Sequence, residues 1–156
     1  MSHTTTRMLL LSAAAACAST TPSRTPARKP NAQPEFEEQK ALFEWARNRA
    51  VLTKHPELQL LSASLNGVKL SKATAGKAKA AGMLAGEWDV RLPVARGGFI
   101  GLIVEMKAGK NGLTDAQKLY RKGMEFEGHR TAVCYSWIEA KAEIEGYLAM
   151  ARTLRG

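Results

Sequence analysis

The sequence has few of the residues on which several common classes of protein depend. Two cysteines exclude a disulfide framework, and three scattered histidines form no cluster with zinc-ligand spacing. Aromatic residues make up only 6% of the chain, too few for a surface on which single-stranded nucleic acid stacks. A phosphate-binding Walker loop, a serine nucleophile elbow and internal repeats are absent as well. The length of 156 residues predicts one domain, and its net charge of +9 favours a polyanionic partner.

The first 33 residues differ in composition from the rest. Their charged side chains are four basic ones and no acidic one, which leaves +5 for the remainder. The apolar run Met8–Ala18 is too short to cross a membrane. We expect a disordered tail over 1–33 and a folded domain over 34–156. A signal peptide, whose lipoprotein form would be cleaved before Cys17, and a misassigned start codon are alternatives that the sequence leaves open. Cys134, in an apolar stretch, is expected to be reduced and buried.

A buried strand that ends in charged residues is the most informative stretch. Residues 99–104 are almost wholly apolar, which is typical of a strand buried on both faces. Glu105 and Lys107 follow, and because strand side chains alternate, they project from the same face. Upstream, alternation over 88–94 predicts a second strand, and Arg96-Gly97-Gly98 predicts a tight turn between the two. The resulting antiparallel hairpin brings Asp89 beside Glu105.

Two carboxylates and a lysine at one point favour a site for a divalent cation and a phosphate. Mg²⁺ takes oxygen ligands, usually one or two carboxylates, and leaves room for water and substrate phosphate. A neighbouring lysine stabilises charge on the phosphate or helps to deprotonate the attacking water. An isolated Glu-x-Lys is more often a surface pair at a strand end, but Asp89 and the buried approach favour the site.

These residues and their neighbours resemble a known nuclease family. Asp89 followed by Glu105-Met106-Lys107 is similar to the core motif of the PD-(D/E)XK nuclease superfamily. The wider set resembles its VRR-NUC (virus-type replication-repair nuclease) domain, stand-alone phage or bacterial type, over about 34–150. That set comprises Gly82-x-x-x-Gly86-x-x-Asp89, Gly101-Leu102-x-x-Glu105-x-Lys107, Leu113-Thr114-x-x-Gln117 and Gly128-x-x-x-x-Val133. Trp88 departs from the family, which usually has proline there.

The resemblance implies a fold, an activity and a location. The fold is α/β and restriction-endonuclease-like, with a mixed central sheet flanked by helices. The activity is Mg²⁺- or Mn²⁺-dependent DNA endonuclease action on branched DNA such as Holliday junctions or flaps, by a homodimer. The protein would be cytoplasmic with no membrane association, although export through the apolar segment of the tail stays open. A catalytically inactive DNA-binding module on the same fold is the alternative, motivated by Trp88 and by the mild basicity of the domain.

The resemblance also assigns roles to individual residues. Asp89, Glu105 and the backbone carbonyl of Met106 would bind the metal, with a contribution from Glu35 or, as second choice, Glu38. Lys107 would be catalytic together with Asp89, Glu105 and Gln117. Gln117 also fits a helix capping box with Thr114, and both interpretations stand. The residues assigned to DNA binding are Asn66, Lys77, Lys79 and Lys110, of which the resemblance itself implies only Asn66. Asn66-Gly67 is equally an ordinary turn signal, Lys77 and Lys79 form either a solvated helix face or a DNA-facing ridge, and Lys110 lies in a basic loop after Lys107.

The remaining secondary structure follows from periodicity and turn signals. Pro34 is expected to open a helix whose apolar face includes Phe36, Phe43 and Ala50. The other predicted elements are a strand over 58–65, helices over 71–81 and from Thr114 to about 127, a strand over 131–135 and a helix over 138–151.

Overall fold

The computed structural model of the protein describes residues 34–64 and 71–153. The N-terminal tail and Asn66 therefore lie outside the described residues. In chain order, the elements are α1 (Pro34–Ala46), α2 (Arg49–Lys54), a 3₁₀ turn (Pro56–Leu60), β1 (Ser62–Ala63), α3 (Lys72–Ala80), β2 (Val90–Leu92), β3 (Leu102–Met106), α4 (Asp115–Phe126), β4 (Arg130–Cys134) and α5 (Trp137–Ala149).

The four strands form one mixed sheet in the order β1-β2-β3-β4. β2 runs antiparallel to β1 and β3, whereas β3 and β4 are parallel and are joined through α4. Helices α1 and α5 contact each other and β3, and α4 contacts β4. The predicted mixed sheet flanked by helices is therefore confirmed. Across the described ranges, no helix has the length and apolar character needed to cross a membrane.

β3 is buried along its whole length, but it begins at Leu102, so residues 99–101 of the predicted buried strand precede it and Ile100 is 53% exposed. Leu102, Val104 and Met106 belong to the apolar core shared with α1 and α5. Because side chains alternate along a strand, Ile103 and Glu105 project from the opposite face of β3. That second face carries the charged residues at the end of the strand.

The predicted turn between β2 and β3 is present. Arg96 and Phe99 exchange backbone hydrogen bonds of 3.0 and 2.9 Å, and Gly97 and Gly98 between them have φ values of 57° and 87°. Two successive residues with positive φ match the twist of a hairpin, and glycine adopts this conformation without strain. The side chain of Arg96 is buried and forms an ion pair with Glu57.

The predicted strand over 58–65 is wrong within the described residues. Residues 56–60 form a 3₁₀ turn that Pro56 begins, and β1 holds only Ser62 and Ala63. Three residues complete one 3₁₀ turn, so Leu58 and Leu61 lie on the same side and are buried. Leu60, which alternation with Leu58 would bury, is 55% exposed. The apolar run thus follows helical rather than strand spacing.

The first helix ends before Ala50, which was predicted to lie on its apolar face. α1 ends at Ala46, and Asn48 begins α2 by accepting a hydrogen bond from the Ala50 amide at 2.9 Å. An asparagine side chain that bonds the backbone in this way favours a new helix start. Ala50 therefore belongs to α2, and Phe36, which was expected on the buried face, is 45% exposed.

The remaining elements are confirmed, although β2 holds only Val90–Leu92 of the strand predicted over 88–94. The other elements show small shifts in their bounds. α3 begins after the Ser71 cap, and Gly82 just beyond it has a φ of 99°. β4 begins and ends one residue earlier than predicted, and α5 begins one residue earlier and ends two residues earlier. Cys134 is a free thiol that is buried in β4, as expected, and burial raises its pKa to about 12.

Candidate active site

The open end of the β2–β3 hairpin brings Asp89 and Glu105 together. Val90 pairs with Val104, so continuing this antiparallel register by one residue places Asp89 opposite Glu105. The Met106 amide donates a hydrogen bond of 3.0 Å to Asp89 Oδ2. The strand spacing and the turn are therefore sufficient to juxtapose the two carboxylates.

Glu105 is the most deeply buried charged side chain of the described residues, with 1% of its surface exposed. Its Oε1 accepts a hydrogen bond from Lys107 Nζ at 2.9 Å and a short one from Gln117 Nε2. Its Oε2 is buried and has no hydrogen-bond partner in the described part of the chain. A buried carboxylate oxygen without a partner destabilises the fold, so this atom calls for a ligand.

Burial raises the pKa of both carboxyl groups. The pKa of Glu105 rises to about 7, chiefly through burial and then through the negative charge of Asp89, while Lys107 opposes the rise. Burial likewise raises the pKa of Asp89, while the hydrogen bond from the Met106 amide and the charge of Lys107 oppose it. The site therefore holds its two negative charges at a cost that a bound cation would relieve.

Gln117 forms the predicted capping box and also contacts Glu105, while its catalytic role stays a prediction. Its Oε1 accepts hydrogen bonds from the Thr114 backbone amide and hydroxyl at 3.0 and 3.2 Å, and the backbone amide of Gln117 donates to Thr114 Oγ1 at 3.3 Å. This is the predicted capping box at the start of α4. Its Nε2 is left free to donate to Glu105. One side chain therefore fixes the helix terminus and contacts the candidate site.

The two candidate glutamates of α1 lie in different places. Glu35 lines the pocket of the site, and its Oε1 accepts a hydrogen bond of 3.2 Å from the Ala108 amide. Glu38 instead accepts a hydrogen bond of 2.8 Å from the Trp137 amide at the start of α5. The structure thus brings Glu35, the first choice, to the site. Its role as a metal ligand stays a prediction.

The site opens into a pocket of about 250 Å³. It is lined by Glu35, Gly86, Glu87, Asp89, Glu105, Lys107, Thr114 and Gln117. Sequence reasoning missed Glu87, whose carboxylate pairs with Arg91. Its position two residues before Asp89 is the spacing that could have indicated it, since residues two apart in an extended chain share a face.

Sequence reasoning also missed the contacts between the segment before Asp89 and α4. The indole Nε1 of Trp88 donates a hydrogen bond of 3.1 Å to the backbone carbonyl of Gln117. The backbone of Gly86 lies against Ala116, because a Cβ built on this glycine would lie 2.5 Å from the Ala116 carbonyl carbon. These long-range contacts carry no local sequence signal.

Lys77, Lys79 and Lys110, the described residues among those assigned to DNA binding, occupy exposed positions. Lys110 lies in the loop after Lys107, and Lys77 and Lys79 lie on α3. None of the three lines the pocket. Their contacts with DNA stay predictions.

Carboxylates are the main ligands that this site offers to a metal. No group of three or more His, Cys, Asp or Glu side chains with metal-site geometry occurs in residues 34–64 and 71–153. The carboxylates of Asp89 and Glu105 are therefore the available pair, and hard cations such as Mg²⁺ commonly use one or two protein carboxylates with water and substrate oxygens. The unpartnered Oε2 of Glu105 fits this chemistry.

A solved structure described as a "VRR_NUC domain protein" is similar to this chain. The two share 24% sequence identity and a TM-score of 0.63, over 78% of this chain and 93% of that chain. No family model matches the sequence, and no curated protein matches it. The likeness shows that the chain has the fold of that protein, which confirms the fold expected from the resemblance.

Proposed function

We propose that this protein is a VRR-NUC nuclease, a metal-dependent DNA endonuclease in which Asp89 and Glu105 bind Mg²⁺ or Mn²⁺. The observation that carries the proposal is the buried, unpartnered Oε2 of Glu105, which lies in a pocket beside a second carboxylate. The fold shared with a VRR_NUC domain protein supports the same reading.

The charge of the site supports a cation. When ionised, Asp89 and Glu105 carry two negative charges against the one positive charge of Lys107, and all three line the same pocket. A divalent ion would offset this excess and would accept Glu105 Oε2 as a ligand. The Met106 carbonyl and water would supply further oxygens, as the resemblance implies. Glu35 is near enough to add charge, since it opposes the ionisation of Asp89.

Each residue of the candidate site would have a definable part in phosphodiester hydrolysis. The bound cation would lower the pKa of a water molecule and offset charge on the phosphate. Lys107 and Gln117 both donate to Glu105 Oε1, which leaves Oε2 as the free atom of that carboxylate. The Met106 amide holds Asp89 in place. The Lys107 ammonium would orient the attacking water and stabilise the negative charge that develops on the phosphate.

The proposal is tested by DNA cleavage with Mg²⁺ or Mn²⁺, and with EDTA instead of either ion. Cleavage should require the ion, and Asp89→Ala, Glu105→Ala and Lys107→Ala should each abolish it in a protein that stays folded by circular dichroism. Glu44→Ala is a matched control, because Glu44 is an exposed acid on α1 that pairs with Lys40. Undiminished cleavage by the Glu105→Ala protein would contradict the proposal.

An inactive DNA-binding module is the competing proposal, and Trp88 is the feature that favours it. A tryptophan in place of the usual proline raises the question whether the following aspartate is correctly placed. In this chain Asp89 nevertheless keeps its hydrogen bond to the Met106 amide. The inactive module predicts DNA binding that weakens with salt, without cleavage of any substrate under any of the ion conditions.

We further propose a homodimer that prefers branched DNA to plain duplex. The domain offers a modest basic surface, and a symmetric dimer would double that surface. It would also place one candidate active site on each of two DNA strands. Large exposed apolar side chains are available for association: Phe126 is 89% exposed, Leu119 is 73% exposed and Ile100 is 53% exposed. A cleavage panel of duplex, flap, splayed-arm and four-way-junction DNA tests the preference, and sedimentation tests the dimer. A monomer that cuts linear duplex at one sequence would contradict both.

A further inference from the structure

Trp88 is buried beside the candidate site and is held by a specific hydrogen bond. Its side chain is 1% exposed, yet it is not a member of the main apolar core of the described residues. The chain neighbour of Trp88 is Asp89, and its indole Nε1 lies 3.1 Å from the carbonyl oxygen of Gln117, on a different element. Trp88 therefore links the segment that carries one carboxylate to the first turn of α4.

A second contact strengthens the same link. Gly86 has a φ of 82° and packs so closely on Ala116 that a Cβ in its place would overlap the Ala116 backbone. Gly86 and Trp88 thus meet two consecutive residues of α4, Ala116 and Gln117. These two contacts restrict movement of the first helical turn relative to the segment that carries Asp89.

Gln117 connects the first turn of α4 to the Glu105 carboxylate. Its backbone carbonyl accepts the bond from Trp88, and its side-chain Nε2 donates to Glu105 Oε1. Its Oε1 is held by Thr114 at the same time, so its side chain has little freedom to compensate for a shift of the helix. A displacement of the first turn of α4 would therefore be transmitted to the Glu105 carboxylate.

We propose that Trp88 is a positioning residue that acts through Gln117 to orient the Glu105 carboxylate for divalent-cation binding. This inference rests on the proposed function, because it assumes that the site binds a cation. A tryptophan that merely fills space would stabilise the fold without any energetic connection to Gln117. The two roles make different predictions for combined substitutions.

A double-mutant cycle on cation affinity tests the proposal without DNA. Mn²⁺ binding to the full chain is measured by calorimetry for the wild type, Trp88→Phe, Gln117→Ala and the double variant. Each single change should weaken Mn²⁺ binding by about 10-fold, the usual effect of losing a group that orients a metal ligand. The double variant should bind no more weakly than the weaker single variant, because both changes interrupt one path.

The possible outcomes separate the inference from the proposed function. Effects that multiply in the double variant, to about 100-fold, would overturn the role of Trp88 while leaving the metal site in place. A wild-type protein that binds neither Mn²⁺ nor Mg²⁺ would overturn the proposed function and this inference with it. Trp137→Phe is the matched control, and it should leave Mn²⁺ affinity unchanged, because Trp137 begins α5 and does not line the pocket.

Fluorescence tests the same link without altering Trp88. The chain has three tryptophans, so Trp45→Phe with Trp137→Phe leaves Trp88 as the only one. Coupling between two sites is reciprocal, so cation binding at Glu105 should change the environment of the indole. Titration with Mg²⁺, which does not quench, should give a saturable change in emission at the concentration where calorimetry detects binding. Emission that stays constant through saturating Mg²⁺ would overturn the proposal, even if Trp88→Phe fails to fold.

Discussion

Two ion pairs occupy opposite ends of the β2–β3 hairpin. Near the turn, Arg96 pairs with Glu57 at 2.5 Å, and at the open end Lys107 pairs with Glu105 at 2.9 Å. The Glu57 side chain is 32% exposed and Arg96 also donates to a backbone carbonyl, so both charges are well satisfied. Glu105 is 1% exposed, and its second oxygen has no partner in the described part of the chain.

The pairs differ in the burial of the acid and in charge balance, but not in the burial of the base. Arg96 and Lys107 are equally buried, at 7% exposure each. The turn end has one acid for one base, whereas the open end has Asp89 and Glu105 for the one base Lys107, and Glu35 lines the same pocket. A balanced pair with satisfied hydrogen bonds is compatible with a purely structural role. An excess of buried acid raises a pKa and destabilises the fold, and such arrangements are concentrated at functional sites.

Replacing the acid of each pair with glutamine tests this contrast and should give the largest effect. Glu105→Gln should lower the cleavage rate by about 10³-fold or more, because the metal loses a charged ligand worth several kcal/mol. Glu57→Gln should leave the rate per folded molecule unchanged and lower the free energy of unfolding by about 1–3 kcal/mol, since Glu57 is partly solvated but Arg96 is buried. Single-turnover cleavage and urea denaturation measure the two quantities.

The contrast would fail if both variants lost cleavage to a similar extent. It would fail equally if Glu105→Gln cut DNA at the wild-type rate. Circular dichroism of both proteins at the assay temperature establishes that any loss concerns chemistry rather than folding.

The raised pKa of Glu105 predicts a pH dependence of stability in the metal-free protein. The folded-state pKa of about 7 lies above the ordinary value of 4.5, so between these values the folded protein binds more protons than the unfolded chain. The free energy of unfolding should therefore fall as pH rises from about 4.5 to 7, by about 3 kcal/mol in total. Burial raises the pKa of Asp89 as well, which adds a loss of the same sign.

Urea denaturation of the wild type and Glu105→Gln at pH 5 and pH 8, both in EDTA, isolates this contribution. The stability of the wild type relative to the variant should fall between the two pH values, because glutamine cannot ionise. Mg²⁺ should then stabilise the wild type more at pH 8 than at pH 5, since it binds the ionised site. A relative stability that does not change with pH would show that burial does not raise the pKa of Glu105 in the folded protein.

Much of the candidate site follows from local rules of sequence. Glu105 and Lys107 share a face because strand side chains alternate, and the glycine turn sets the register that brings Asp89 opposite Glu105. The capping box likewise places Gln117 at the start of α4. Each of these relations depends on residues that are close in the chain or in one hairpin.

The parts that sequence did not predict depend on packing between distant segments. The run after Pro56 has the composition of a strand, but the core accepts Leu58 and Leu61 from one 3₁₀ turn instead. The Trp88 bond to Gln117 joins residues 29 positions apart, and no periodicity indicates such a partner. The ion pair of Arg96 with Glu57 is of the same kind, with 39 positions between its members.

Gly86 offers a smaller perturbation that should affect the open end of the hairpin alone. In Gly86→Ala the new Cβ would overlap the Ala116 backbone at a position with positive φ, so the first turn of α4 must move. We expect the free energy of unfolding to fall by about 2–3 kcal/mol, together with weaker Mn²⁺ binding. Gly82→Ala is the control: its φ is also positive, but nothing lies within 4 Å of the new Cβ.

The control should therefore cost only the conformational strain, about 1–2 kcal/mol, and should leave Mn²⁺ affinity unchanged. Urea denaturation and calorimetry give both quantities for each variant. If the two variants lost stability equally and neither affected Mn²⁺ binding, the docking of α4 would not contribute to the open end of the hairpin.

The smallest expected effect concerns exposed lysines, one near each end of the hairpin. Lys110 follows Lys107 by three residues and is exposed, whereas Lys54 is exposed three residues before Glu57. Lys110→Ala should weaken DNA binding and reduce the slope of log affinity against log salt by about 1, because one phosphate contact is lost. Its cleavage rate at saturating DNA should stay unchanged, since it lies outside the pocket. Lys54→Ala should leave the slope as it is. Fluorescence anisotropy at several salt concentrations measures both slopes, and equal decreases would place DNA along the whole hairpin rather than at its open end.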